Sequence, residues 1–314
     1  MRLGFAAQVL GRVGLKSHDS RRWQNQPHLS VSLAYLRDIL LYLQGADIHM
    51  YRMHSDLAPY IAAPGFPQFH RQIVECRAEL EYIGQLARAA DIRLSFHADA
   101  YTVPNSPDPE VAQRSQHKLL ALADILDGMA LGREAVVVTH VGGFFDDREA
   151  ALQRFIQYDA NAPESVRRRL ALENDDRLFS FADVWRIHQA TGIPLVLDRL
   201  HFLLNNPQQL SLSESVVKAL STWPGGVAPK IHFSSPRTEL KIAPLEASEE
   251  SSAQPPLWSN HSDYINPFEF IDFIKFVSTQ RDFDVLLEAK AKDLAVLRLR
   301  RDLARFAPDH LGLR

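Results

Sequence analysis

One cysteine in 314 residues, Cys76, excludes an intramolecular disulfide and with it the small disulfide-stapled secreted folds. It lies in a helix-like stretch and reads as a packing residue. No run of 18 apolar residues occurs, so no membrane-spanning helix is expected. The opening MRLGFAAQVLGRVGL lacks an apolar stretch followed by a small-residue cleavage site. It reads as a first strand and loop, not as a signal peptide. A charge excess is missing too. The 35 basic and 38 acidic residues give −3 with histidines neutral, so there is no global basic footprint for nucleic acid. Local phosphate contacts stay possible, because bound divalent cations would offset site carboxylates. These absences give the expectation of a cytoplasmic protein with no membrane segment and no evident obligatory protein partner.

Core-forming residues are plentiful. The hydrophobic fraction is 46%, too high for a disordered chain. Short apolar runs alternate with helix-period segments, the pattern of βα units around a parallel sheet. Strands are predicted near 2–6, 47–53, 92–97, 135–140, 168–173, 193–198, 228–233 and 283–288. Helices are predicted over 30–44, 70–90, 109–131, 147–158, 180–191, 211–221, 267–278 and 292–305. On the first, Leu33, Leu36, Leu40 and Leu43 make one apolar stripe, and Val111, Leu119, Leu122 and Leu126 make another on the third. Ser180 and Asn266-Pro267 read as helix starts. Eight of each in alternation predicts an α/β fold, a (β/α)8 TIM barrel, as a single domain over 1–314. A polar, Pro/Ser-rich stretch at 234–262 reads as a loop insertion, flexible in its acidic middle EASEESS.

The strand ends carry the chemistry. RLSFHAD ends at His97, AVVVTHVGG at His140, LALENDD at Glu173, PLVLDRLHF at Asp198 and His201, PKIHFSSP at His232, and DVLLEAK at Glu288. In a (β/α)8 barrel all strand carboxyl ends open onto one face, which carries the site. Any one of these histidines alone could be a hydrogen-bonded pocket residue. Their recurrence at strand ends argues for imidazole ligands to divalent ions. A carboxylate such as Glu173 at the end of an apolar strand is costly unless paired or metal-bound. A salt bridge to Arg52 is the bland alternative. Lys230 shares a face of its strand with His232, so it points inward, to pair with carboxylates or to be chemically modified. His261 and Asp263 alternate in the loop and could chelate one ion. This set exceeds the needs of one ion, so two or three divalent cations are expected, a site type that favours phosphate-ester hydrolysis. His18, His28, His49, His54, His70, His117 and His188 read as surface or structural. Gly142-Gly143 reads as a turn that allows close backbone approach.

In order along the chain, RLGF, YRMHSDLAPY, LSFHADAYTVPNSPDPEV, THVGG, LALENDD, DRLHF, PKIHFSSP, HSDYI and LLEAKAKD resemble the ultraviolet damage endonucleases. The resemblance implies a TIM-barrel DNA repair endonuclease acting on damaged double-stranded DNA. It implies hydrolysis of the phosphodiester immediately 5′ to a lesion, with up to three ions, manganese in the family reading. It implies His97, His140, Glu173, Asp198, His201, His232, His261 and Glu288 as ligands. Glu173, Lys230 and Glu288 would serve catalysis, Lys230 matching a lysine that family members can carry carboxylated. Departures concern the lesion reader. The family's Gln-Tyr probing pair is Ala100-Tyr101 here, a site histidine is replaced by Ala63, and the tyrosine of RLGY is Phe5. Phe5, Ala100, Tyr101 and Arg52 are the expected DNA or lesion contacts, with Arg177, Arg199 and Arg237 as further phosphate candidates. Two other readings fit a barrel with ligands: a metal-dependent sugar isomerase or epimerase, and a damaged-DNA-binding homologue with reduced incision.

Overall fold

The computed structural model describes residues 1–239, 241–242, 253–277 and 281–308. Eight parallel strands close into a barrel: β1 (Leu3–Ala6), β2 (Met50–Arg52), β3 (Arg93–His97), β4 (Val137–Thr139), β5 (Leu170–Glu173), β6 (Leu195–Asp198), β7 (Lys230–Phe233) and β8 (Asp284–Leu287). Each pairs with its sequence neighbours, and β1 closes the ring against β8. Each strand is followed by a long helix: α1 (Leu29–Gly45), α2 (Arg77–Ala89), α3 (Pro109–Gly128), α4 (Arg148–Asn161), α5 (Phe181–Thr191), α6 (Leu212–Ser221), α7 (Pro267–Val277) and α8 (Lys292–Phe306). This is the (β/α)8 barrel that the strand–helix alternation predicts.

Alternation along each strand sorts side chains between two cores. Residues facing outward, such as Phe5, Tyr51, Leu94 and Leu172, join the α1 leucines in the large core under the helices. A separate cluster of Val136, Val138, Ala171, Val196, Trp223 and Val227 fills the barrel interior. Gly4 is needed where β1 meets β2. A Cβ there would sit 2.6 Å from the Met50 carbonyl oxygen. At the lower end, Arg93 is buried and donates to the Ala228 carbonyl and to Asp284, both at 2.9 Å. The interior is thus apolar on one side and charged on the other, with Arg93 paired to Asp284.

Helix starts follow the expected chemistry. Ser180 and Asp183 form a reciprocal capping box at α5. Asn266 Oδ1 accepts from the backbone of Phe268 and Glu269 at α7. Among the boundaries that differ from the sequence prediction, two have a clear local cause. The helix expected over 70–90 breaks at Cys76, leaving a short turn at Gln72–Glu75 before α2. Cys76 is buried, as its packing reading requires. The strand expected from 168 begins at Leu170, because Arg168 and Arg169 close a short helix, Glu164–Arg169. Arg169 is held there by Asp127 and the carbonyls of Leu131 and Ala135. The loop after β7 is pinned at its base by an antiparallel bridge between Pro236 and His261. The EASEESS middle of that loop lies outside the described residues. Among the described residues no helix is long and apolar enough to cross a membrane.

Candidate metal centre

The barrel places one carboxylate at the middle of a ring of histidines. Glu173, at the end of β5, is 1% exposed. Its Oε2 lies 2.7 Å from His97 Nε2 and its Oε1 lies 2.9 Å from His232 Nδ1. His140 Nε2 stands 4.0 Å and His201 Nδ1 3.6 Å from the same carboxylate. The imidazoles follow one another around the mouth, His97 to His140 at 5.1 Å, His140 to His201 at 5.8 Å and His201 to His261 at 6.2 Å between ring centres. Glu288, just beyond β8, takes the far side, 3.6 Å from His232 Nδ1 and 3.9 Å from His261 Nε2. Register explains the assembly: β6 and β7 pair Asp198 with His232, so both reach the same layer.

The hydrogen bonds around the ring fit a cation-binding set. His97 Nδ1 donates to the Ala98 carbonyl, His140 Nδ1 to the Glu173 carbonyl and His201 Nδ1 to the Asn174 carbonyl. With Nδ1 held by a backbone carbonyl, Nε2 is the nitrogen left to face the centre, at His97 toward the Glu173 carboxylate, the arrangement found behind metal-ligating histidines. Asp198 Oδ2 and His232 Nε2 are buried and have no hydrogen-bonding partner among the described residues. Such atoms cost about 1–3 kcal/mol each unless something polar or charged meets them. Three ligand groups come together: His97, His140 and Glu173; His201, His261 and Glu288; and Glu173, Asp198, His232 and Glu288. Within each, the ligand atoms lie within 4.8 Å of one another. Glu173 and Glu288 each belong to two groups, the role a bridging carboxylate has.

Electrostatics agree. Burial alone would raise the Glu173 carboxyl, but His232, His140 and His97 outweigh it and hold it well below the usual carboxylate range. Glu288 is likewise lowered against its burial, chiefly by Arg52. Asp198 goes the other way. Burial lifts it to about 7, with Glu173 and Glu288 adding to the rise and His201 opposing it. Burial lowers His201, yet Asp198, Glu173 and Glu288 lift it to about 9. Three carboxylates in one buried cluster therefore need positive charge.

All eight sequence-predicted ligands meet in this centre. Lys230 lies inside the barrel beside them, 1% exposed, with its Nζ unpartnered among the described residues. Burial, together with Arg93 and Arg52, lowers it well below an ordinary lysine. Arg52 forms an ion pair with Glu288, not with Glu173, and is largely occupied by it. Phe5 requires a correction. It is fully buried on the outer side of β1, edge-on to Tyr51 at 5.4 Å, and offers DNA no surface. Asp263 is exposed and takes no place among the ligand groups. Arg199 pairs with Glu269 at 3.3 Å, while Arg177 is exposed.

Ala100 and Tyr101 are exposed at the mouth, Tyr101 by 84%. Tyr101 and Ala63 line a cavity of about 530 Å³ with His18, Arg114 and Lys118, beside the ligand ring and sharing none of its residues. Two features here escape sequence reasoning. His54 lies two residues past the end of β2 and stacks on His18 with ring centres 3.9 Å apart. Burial, with His18 adding, pushes His54 down to about 4, so the stacked pair is neutral near pH 7. The strand-end logic that finds His97 would also have found His54. Asn174 clamps the centre. It accepts from the Asp198 N–H at 3.0 Å, donates to the Asp198 carbonyl at 3.2 Å and offers its own carbonyl to His201. An asparagine directly after a ligand carboxylate is its only sequence signal.

Fold and donor set together define a (β/α)8 barrel with a candidate metal centre at its C-terminal mouth. The family model described as UV-endonuclease UvdE matches residues 17–309. A UV DNA damage endonuclease of Bacillus velezensis is 30% identical over 290 residues, covering 91% of this chain and 85% of the relative. One from Halalkalibacterium halodurans is 32% identical over 263 residues, covering 83% and 76%. The crystal structure of SacUVDE superposes with a TM-score of 0.81 at 27% identity, covering 99% of this chain and 100% of that one. The chain belongs to the UV-endonuclease UvdE family. A D-psicose 3-epimerase from Clostridium cellulolyticum H10, at 10% identity and a TM-score of 0.56, shares the fold alone.

Proposed function

We propose that the protein is a metal-dependent DNA repair endonuclease that hydrolyses the phosphodiester on the 5′ side of UV-induced or other lesions in double-stranded DNA. The observation that carries this reading is the set of three overlapping ligand groups sharing Glu173 and Glu288, in a chain of the UV-endonuclease family. The donor set suits two or three divalent ions, and mixed imidazole and carboxylate donors admit manganese. When bound, such ions supply the charge that phosphodiester hydrolysis needs, polarising the phosphate and activating water. The residues themselves set the geometry. Glu173 fixes His97 and His232, the carbonyls of Ala98, Glu173 and Asn174 fix the imidazole tautomers, and Arg52 holds Glu288. Lys230 is buried and its pKa is lowered well below that of an ordinary lysine, which favours the nucleophilic amine that carboxylation would require, and the carboxylated side chain would add a further ligand.

Ala100 and Tyr101 stand where the family probes for damage. Ala100 makes no hydrogen bond through its side chain, so discrimination rests on Tyr101, which stacks on a base exposed by poor pairing. Damaged bases are already weakly stacked and cost less to displace. Tyr101→Ala is expected to reduce the preference for damaged over intact duplex by about 10-fold, the scale of one lost base–aromatic stack. Competition between the two duplexes in one incision reaction measures it. Unchanged preference would reject the reader role.

A further inference from the structure

The Gly142-Gly143 turn lies just beyond His140. It carries two exposed phenylalanines at the barrel mouth, Phe144 at 37% and Phe145 at 42% exposure. Phe145 and Asp146 both have left-handed backbones, φ 52° and 64°, which favour glycine and are disfavoured for an aromatic residue. The turn is nevertheless fixed. Buried Asn105, from the Tyr101 loop, donates to the Gly143 carbonyl at 2.9 Å and accepts from its N–H at 3.1 Å. Gly142, at φ 112°, leaves room for that clasp, since a Cβ there would lie 2.3 Å from Asn105 Oδ1. The rings are held as well. The Arg148 guanidinium stands 5.9 Å from the Phe144 ring, and the Arg154 guanidinium stands 5.6 Å from that of Phe145.

Two rigid aromatic rings are thus presented beside a candidate ligand, on a loop clasped to the one that bears Tyr101. Asp146 and Asp147 lie next to them, and the two arginines are engaged elsewhere, Arg148 with Asp183 at 2.6 Å and Arg154 with the Asn105 carbonyl at 2.7 Å, so this tip is poorly suited to track phosphates. Its contact with DNA has to be apolar, against bases. Resting on the endonuclease reading above, we infer that Phe144 and Phe145 form an aromatic wedge that enters the base stack next to the lesion. Apolar wedges of this kind unstack a step and kink the duplex, which lets the lesion reach the site. The wedge works alongside Tyr101, in a chain whose Ala100 contributes no polar contact of its own.

The test compares wild type with the double variant Phe144→Ala/Phe145→Ala on two manganese-containing incision substrates. One is a fully paired duplex with a single pyrimidine dimer. The other carries the same dimer inside a bubble of mismatched, already unstacked bases. The wedge predicts a rise in KM of roughly 10-fold or more on the duplex, shrinking to about two-fold or less on the bubble. Phe145→Tyr, which keeps a stacking ring, restores duplex KM. Equal losses on both substrates would overturn the wedge in favour of a role in holding His140. No loss on either would also overturn it. A wild-type protein that cuts neither substrate would overturn the endonuclease reading itself, an outcome distinct from both.

Discussion

Glu173→Gln is expected to abolish incision while leaving the barrel folded. The substitution keeps the shape and removes the charge on which two ligand groups converge. Even outer hydrogen-bonding partners of metal ligands cost roughly 10–100-fold when lost. A carboxylate shared between groups should cost more, on the order of 10³-fold in kcat/KM, as for other groups that stabilise developing charge. The fold should persist because the carbon skeleton still packs and the barrel core around it, Val138, Ala171 and Val196, is untouched. Incision kinetics and far-UV circular dichroism check both halves. Full activity in the variant would sink the bridging assignment.

The second large effect is on stability. Without cations the centre confines Glu173, Asp198 and Glu288 among buried imidazoles, and burial lifts Asp198 to about 7. Ions that bind the folded cluster and not the unfolded chain add about 2.7 kcal/mol per site at a hundred times Kd. At roughly 2–4 °C per kcal/mol for domains a little smaller than this, two sites raise Tm by on the order of 10 °C. Thermal unfolding with manganese and with excess chelator measures the difference, and Glu173→Gln should lose much of it. A Tm indifferent to manganese and chelator would contradict the metal centre.

The barrel was legible because its strands are near-continuous apolar runs, as sheets covered on both faces require. That the candidate ligands would cluster was legible because strand carboxyl ends converge whatever the loops do. Four things were less so. Phe5 alternates with Gly4 and Ala6, and period two already turns it outward when the small residues face the crowded interior. The Asn174 clamp depends on tertiary hydrogen bonds between neighbouring strand ends, which no spacing reveals. The His18–His54 stack joins two loops 36 positions apart, and only the folded chain brings those rings together. The wedge stood behind a glycine pair whose close approach was readable but whose partner, Asn105, was not.

Metal-dependent incision of damaged DNA is the activity expected of the protein. It is tested most directly with end-labelled duplexes carrying a single pyrimidine dimer, an abasic site or no damage, incubated with manganese and with chelator. A cut immediately 5′ to the dimer is expected, absent from the undamaged duplex and abolished by chelator. Bound ions with no cut at any lesion, or cutting that survives chelation, would contradict it.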